Sequence, residues 1–351
     1  MADVMTQTPP AAGGRAASPE ATGPDRLLAM STGFWVSQIL RAAAHYKLFT
    51  VIANGHTTVD AIASTATTDP RATRVVLDSL VALGVLTKRG RVYGLTAEAD
   101  TYLVEGRQGD LTPVLDIHTG LTYEDWGRLI EALRDPTKVR QYRDLDNAAE
   151  FFPKLIRGIM PLGLGPAEVT AEHLGIGTTR KGVRVLDVGV GGAAWSIPFA
   201  KRDVTARITG FDIPAVLAET KTIVSEFGLG QQYSFKPGNL MKDALGDSAF
   251  DIVILGNICH GLTSAQNRDL LKRTYDALAP EGHLVIADMV PNEERTGPVF
   301  PVLFAVNMLV MGGEDTYPMS DYRQWLSGAG FREVEAFDTK QSHSPVIIAS
   351  K

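Results

Sequence analysis

The chain has 351 residues, 44% of them hydrophobic and 21% charged, with a formal net charge of -6. That length predicts two compact domains with substantial cores; the composition excludes a largely disordered protein, and the longest apolar runs are too short to span a bilayer. The acidic balance argues against nucleic acid as a partner, and the single cysteine, Cys259, cannot close an internal disulfide, which leaves the cytoplasm as the default compartment.

Residues 1–24 are rich in Ala, Pro, Gly and Thr without apolar periodicity and read as a disordered tail. From Leu27 to about Phe49, apolar residues recur at helical spacing through Trp35, Ile39, Leu40, Ala43 and Tyr46, predicting one buried amphipathic helix before the Asn54-Gly55 turn. Thr57 and Thr58 are placed to cap a short helix ending at Ala66. Asp69-Pro70 opens another, with Val75, Val76, Leu80 and Leu83 on one face and Gly84 at its end. Val85-Leu86 and Val92-Tyr93 then flank Lys88-Arg89-Gly90-Arg91 as a hairpin, so residues 25–105 read as a winged helix. Its second helix carries only Arg71 and Arg74 against Asp78, a weak pattern for DNA reading and a better one for a dimerisation platform. Residues 106–175 form a mostly helical connector in which Trp126, Phe151, Phe152 and Met160 either pack as core or line a pocket.

Within residues 176–351 the pattern changes to short apolar runs alternating with helices: Val183–Val188, Ile208–Phe211, Tyr233–Lys236, Ile252–Leu255, Leu284–Ala287 and Val346–Ala349. This predicts an α/β fold with a parallel sheet, whose ligands bind beyond the carboxyl ends of the strands. The first strand runs into Asp187-Val188-Gly189-Val190-Gly191-Gly192-Ala193-Ala194, where glycines let backbone approach a ligand closely. The second ends at Asp212, placed to accept hydrogen bonds from ribose hydroxyls, and together the two features indicate a nucleoside cofactor. A carboxylate beside the first glycine suits the positively charged amino-acid end of S-adenosylmethionine and disfavours a pyrophosphate.

Strand four leads into Gly256-Asn257-Ile258-Cys259-His260, followed by Thr263-x-x-Gln266 as a capping box. His260 thus lies in a loop at the ligand end of the sheet. Cys259 reads as a packed thiol, and the remaining histidines show no paired spacing for a metal. Phe304, Asn307, Met308 and Met311 fall on an apolar helix before Gly312-Gly313, where Asn307 requires a polar partner.

The order of these features, with Gly210-Phe211-Asp212-Ile213-Pro214, Gly238-Asn239-Leu240 and Gly312-Gly313-Glu314-Asp315, resembles the small-molecule O-methyltransferases typified by plant caffeate, flavonoid and acetylserotonin enzymes and by bacterial natural-product enzymes. The resemblance covers about Leu27 to Lys351 and implies a class I methyltransferase Rossmann-like sheet of seven strands, the last antiparallel, with a winged-helix dimerisation domain and a homodimer. It implies that Asp187, Gly189 and Gly191 cradle the methionine part of S-adenosylmethionine, Asp212 the ribose, and Asn239 with Leu240 the adenine, with Ile213 and Asn257 beside them. Asn239-Leu240 departs from the family's Asp followed by Met or an aromatic. By the same resemblance His260 is the general base, held by Asp288 and Asp315, both Asp where plant enzymes carry Glu, and Gly261-Leu262 replaces the usual Asp-Trp. The acceptor pocket falls to Phe304, Asn307, Met308 and Met311, with Phe152 and Met160 from the connector. A neutral imidazole of pKa about 6.5 is suited to take a proton from a phenol of pKa about 10 as it attacks the methyl group. The expected activity is therefore methylation of a hydroxyl on a small aromatic or polyketide-like natural product of secondary metabolism. Carbon or nitrogen methylation, or a non-methylating descendant, is the alternative on this scaffold; a winged-helix regulator sensing a nucleoside is the alternative of another class.

Overall fold

The computed structural model describes residues 23–107, 109–139 and 145–351. Most of the tail expected at 1–24 lies outside them. The chain divides into two compact units, one through Leu121 and one from Thr122 onward, so the connector expected at 106–175 contributes to both.

In the first unit, the helix expected over Leu27 to Phe49 is broken into α1 (Asp25–Ser31), α2 (Gly33–His45) and α3 (Leu48–Ala53). Lys47, in a left-handed conformation at φ 53°, separates the last two. Nor is this segment buried throughout: Leu27, Leu28, Met30, Phe34, Trp35 and Val36 are exposed on the single chain, and Ala43 is the buried residue of α2. Helix α4 (Val59–Ala66) is capped by the Thr58 hydroxyl, and α5 (Pro70–Ala82) by the Asp69 carboxylate, which accepts from the Ala72 N–H at 2.8 Å. The buried face of α5 is Thr73, Leu77 and Leu80; Val75 and Leu83, expected inside, are exposed. Strands β1 (Leu86–Arg89) and β2 (Val92–Leu95) pair antiparallel, so the turn contracts to Gly90-Arg91 with Gly90 at φ 60°. Short helices α6 (Ala97–Tyr102) and α7 (Thr112–Asp116) complete the unit, whose core holds Phe49, Ile62, Leu77, Leu80 and Tyr93.

The second unit starts with α8 (Tyr123–Trp126), α9 (Leu129–Ala132) and the long α10 (Leu145–His173). It continues as β3 (Arg184–Val188), α11 (Ile197–Arg202), β4 (Arg207–Asp212), α12 (Pro214–Glu226), β5 (Tyr233–Pro237), β6 (Phe250–Gly256), α13 (Ser264–Ala277), β7 (Leu278–Ala287), α14 (Val299–Val310), α15 (Met319–Ala329), β8 (Arg332–Phe337) and β9 (Val346–Ser350). The seven strands lie in the order β5-β4-β3-β6-β7-β9-β8, and β9 runs antiparallel to both of its neighbours, giving the expected seven-stranded sheet. Alternation along β3 explains the layering. Val185 enters a core shared with residues of α10, α11 and α12, while Leu186 and Val188 enter the opposite core with residues of α13 and α15.

Strand β8 has no counterpart among the apolar runs of the sequence. It is an edge strand, exposed or half-exposed at every position, with Glu333 at φ 51° beside a register shift between Arg332 and Glu335. Its neighbour β9, by contrast, is buried from Val346 to Ala349.

Candidate active site

The carboxyl ends of β3 and β4 bring two acids together. Asp187 is buried; its Oδ2 accepts from the Ser196 hydroxyl at 2.6 Å, and Ser196 in turn accepts from the Tyr233 hydroxyl at 3.0 Å. Desolvation pushes the Asp187 carboxyl up to about 7, aided by the charge of Asp212 and opposed by the Ser196 hydrogen bond. Asp212 is pushed up to about 6 by burial, against the pull of two backbone donors: Gly191 N–H to Oδ2 at 3.0 Å and Ile213 N–H to Oδ1 at 2.8 Å. Neither acid is ion-paired with a basic side chain among the described residues. The acid that closes β4 therefore fastens the glycine bend that follows β3. The bend is also held by Gly189 N–H donating to the Phe211 carbonyl at 2.8 Å and by the Thr220 hydroxyl donating to the Gly191 carbonyl at 2.6 Å.

The glycines admit protein as well as backbone turns. Gly189 sits at φ 67° and its missing Cβ leaves room for Ile258 Cδ1, while Ile156 and Met160 of α10 lie against Gly191 and Gly192. Sequence reasoning missed Ser196 and Trp195. The indole of Trp195 is buried in the space left by Gly256 and Gly163, and its Nε1–H has no partner among the described residues. No spacing in the sequence announces either contact.

Asn239 is committed to its own loop. Its N–H donates to Asp243 at 2.7 Å, and its side-chain oxygen accepts from the Met241 N–H at 2.8 Å. Leu240 packs against the core, with its carbonyl accepting from Arg273 at 2.7 Å. Ile213 caps α12 and is half-buried, and Asn257, at φ 59°, donates its N–H to the Ala287 carbonyl at 2.7 Å.

His260 occupies a single helical turn after β6, half-buried, with its Nδ1 2.6 Å from Asp288 Oδ1. The Asp288 carboxylate also accepts from the backbone N–H of His260 at 3.0 Å and of Met289 at 2.7 Å. Asp315 departs from its expected place. Its carboxylate accepts from Arg295 at 3.0 Å and from the Thr316 N–H, and what joins it to His260 is backbone: the N–H groups of Glu314 and Asp315 face the His260 carbonyl at 3.3 and 3.2 Å. Phe304 stands edge-on to the imidazole, centroids 5.0 Å apart. Asn307 finds its partner in Trp126, whose indole N–H donates to the amide oxygen at 2.9 Å. Met308 and Met311 are buried, Met308 lying against Gly313. Phe152 and Met160 pack partly buried on the core of the first sheet face. The Cys259 thiol is fully buried and its pKa is pushed up, first by desolvation and then by Asp288, which suits a packed thiol. A separate groove of about 610 Å³, lined by His173, Arg180, His283 and Glu335 among others, includes none of these residues.

Two family models match the chain: an O-methyltransferase dimerisation domain over residues 28–105 and an O-methyltransferase domain over residues 179–332. The chain is 29% identical to the 3-hydroxy-5-methyl-1-naphthoate 3-O-methyltransferase of Streptomyces sahachiroi, over 92% of this chain and 94% of that protein. It is 29% identical to the acetylserotonin O-methyltransferase of Bos taurus, over 94% of this chain and 99% of that protein. The crystal structure of human N-acetylserotonin methyltransferase in complex with SAM superposes with a TM-score of 0.82 and 26% identity, over 95% of this chain and 99% of that one.

Two outcomes test this geometry. Replacing Gly189 by Ala forces a side chain into a left-handed backbone and into Ile258, and should cost about 2 kcal/mol or more in a denaturant melt. Because the folded-state pKa of Asp187 is raised, its protonation contributes stability at low pH that is lost as pH rises toward about 7. In the protein alone, Asp187→Asn should therefore gain stability over the parent progressively from about pH 4 to pH 8, by on the order of a few kcal/mol. A constant difference across that range would show that Asp187 is not held in a desolvated site.

Proposed function

The chain belongs to the small-molecule O-methyltransferase family that uses S-adenosylmethionine, and from that premise we propose that it methylates a hydroxyl of a small aromatic or polyketide-like acceptor with His260 as the general base. The observation that carries this reading is the 2.6 Å contact between His260 Nδ1 and Asp288. A carboxylate accepting the Nδ1–H assigns the proton to that nitrogen and leaves Nε2 as the basic one.

The residues present fit the cofactor. Asp187 and Asp212 are desolvated acids without a cationic partner among the described residues, beside a bend whose backbone is fixed, and a ligand carrying an ammonium and a sulfonium supplies the missing positive charge. Asp187 and the bend from Gly189 to Gly191 would hold its amino-acid end, and Asp212 with Ile213 its ribose. Leu240 would offer an apolar face to the adenine beside Asn239 and Asn257. When bound, the cofactor supplies the activated methyl group. His260 receives the acceptor's hydroxyl proton at Nε2, and Asp288 stabilises the imidazolium that forms. Phe304 orients the imidazole from its edge, and Asn307, steadied by Trp126, presents a polar group on the otherwise apolar α14. Met308, Met311, Phe152 and Met160 serve as apolar support of the acceptor pocket. Asp315 acts at one remove, through the backbone contact to His260 and its pair with Arg295. No metal enters this scheme.

The exposed apolar residues of α1 and α2 support a homodimer formed through the first unit. Two basic residues of its hairpin and second helix, Arg74 and Lys88, both pair with Asp78, at 2.9 and 2.5 Å, which lowers the charge this face offers a DNA backbone. No helix among the described residues is long and apolar enough to cross a membrane; the cytoplasm is the compartment proposed.

Calorimetry should detect binding of S-adenosylmethionine and none of NAD. Against a panel of hydroxynaphthoates and polyketide phenols, His260→Ala should lower kcat by roughly 10²–10⁴ while leaving cofactor affinity intact. An unchanged rate would remove His260 as base and favour an acceptor that needs none. For the dimer, Phe34→Glu with Trp35→Glu should yield monomers in light scattering, and a persistent dimer would place the interface elsewhere.

A further inference from the structure

One buried polar group beside the His260–Asp288 pair is left unused by the mechanism. Tyr322, in α15, is fully buried, and its hydroxyl has no partner at hydrogen-bond geometry among the described residues. Its ring stands edge-on to Trp325, centroids 5.4 Å apart, in the apolar cluster that also holds Cys259, Leu262 and Tyr317. The contrast with Tyr317 is informative: that residue, in the same cluster, donates its hydroxyl to the Leu262 carbonyl at 2.6 Å. A stranded buried hydroxyl calls for an explanation. The Tyr322 hydroxyl lies near the Asp288 carboxylate and the Cys259 thiol, and burial first, then the charge of Asp288, hold its proton firmly on the oxygen. It is therefore a donor, and Asp288 is the stronger acceptor of the two. Asp288 Oδ1 already receives His260 Nδ1 and the Met289 N–H, whereas Oδ2 receives the His260 N–H and retains a lone pair.

We propose that Tyr322 is a positioning residue for the base, its hydroxyl the donor that Asp288 Oδ2 takes up in the working enzyme, so that α15 sets both the plane and the charge of the carboxylate behind His260. This rests on the reading of His260 as base. The hydroxyl competes with the imidazole for the carboxylate's charge, so it limits how strongly Asp288 holds a protonated ring. The other titratable or charged groups around the pair are Cys259 on the same turn as His260, Tyr317, Glu314 and Asp315 on the segment after α14, and Arg295, which pairs with Asp315.

The test is Tyr322→Phe in the full-length protein, which removes one oxygen from an otherwise unchanged ring. Histidine ring signals are followed by NMR through a pH titration, with His260 assigned by its disappearance in His260→Gln. The His260 titration midpoint should move to higher pH by roughly half a unit or more, and the acid limb of kcat/KM should follow it. An unmoved midpoint, with the stability gain expected from deleting a stranded hydroxyl, would overturn the proposal. Cys259→Ala is the second arm: the midpoint should stay where it is, and a shift of the same size would make the thiol the acceptor and overturn the assignment to Asp288. If Tyr322→Phe moves the midpoint while His260→Ala leaves the rate intact, the base reading fails and the contact between Tyr322 and Asp288 stands.

Discussion

A buried carboxylate is costly unless donors or a cation meet it, and this chain sets three of them, Asp187 and Asp288 buried and Asp212 half-buried, at the carboxyl edge of one sheet. Asp187 lies at the end of β3, Asp212 at the end of β4 and Asp288 just beyond β7. The parallel register aligns these positions: Asp187 stands opposite Gly210 on one side and Ile254 on the other, and Ala287 pairs with Gly256. The three acids are met differently. Asp288 receives two backbone N–H groups and an imidazole, Asp212 receives two backbone N–H groups, and Asp187 receives one serine hydroxyl. The acid with the fewest donors is also pushed up further than Asp212, which is what makes its surroundings suited to a cation. Asp288, supplied with donors by the protein itself, is instead suited to orienting a ring. On the proposed function, the same edge divides into a binding half and a proton-handling half according to how each carboxylate is solvated by the protein.

The packing that holds this edge is unusually dependent on where side chains are missing. In a dinucleotide-type bend the last glycine permits close approach of helix and strand. Here that position is Ala194, and the compensating absence lies on the facing helix, where a Cβ at Gly163 would press on Ala194 Cβ at 2.9 Å. Gly256 does the same for Trp195 at the end of β6. Here the space is therefore left by glycines on α10 and β6 and not by the bend itself. Helix α10 is fixed further by Arg157, which pairs with Glu219 and Glu226 of α12 at 2.6 and 3.1 Å, so the wall over the glycine bend is anchored from outside as well.

Much of this was legible in the sequence where one residue's chemistry is enough to define its place. Short runs marked six of the seven strands, five of them rich in β-branched residues and leucine and the sixth, β5, in the aromatics Tyr233 and Phe235, and the acids and glycines following β3, β4 and β6 marked their ends. The capping box at Thr263 and Gln266 is present as read, with Gln266 Oε1 2.8 Å from the Thr263 N–H. What escaped depends on surroundings. Edge strand β8 escaped because neither of its faces is buried, and the breaks in the first helix because neither Thr32 nor Lys47 carries a turn signal of its own. On α5 the reading held for Val76 and Leu80 and failed for Val75 and Leu83, which are exposed while Thr73 and Leu77 are buried, since only the partner surface distinguishes equally apolar neighbours. Ser196 and Tyr322 are ordinary polar residues in the sequence, and nothing local indicates that the first comes to donate to Asp187 or that the second is fully buried.

The fate of Asp315 follows from reach. An aspartate is one methylene shorter than a glutamate, and a strand end offers a fixed backbone from which a short side chain can be aimed; Asp288 uses that position to meet both the ring and the backbone of His260. Asp315 leaves a loop instead, where its own N–H is turned toward the His260 carbonyl. That arrangement points the side chain along the loop, and Arg295 captures it. The imidazole is consequently oriented by one carboxylate and by the edge contact with Phe304, while the loop after α14 restrains the backbone beneath it. Since Phe304 and Asn307 share α14, the helix that steadies the ring also carries the polar group proposed to face the acceptor. If His260 is the base and α14 lines the acceptor pocket, as proposed, a displacement of α14 that widens the pocket also disturbs the imidazole, which couples acceptor fit to proton removal through a single element.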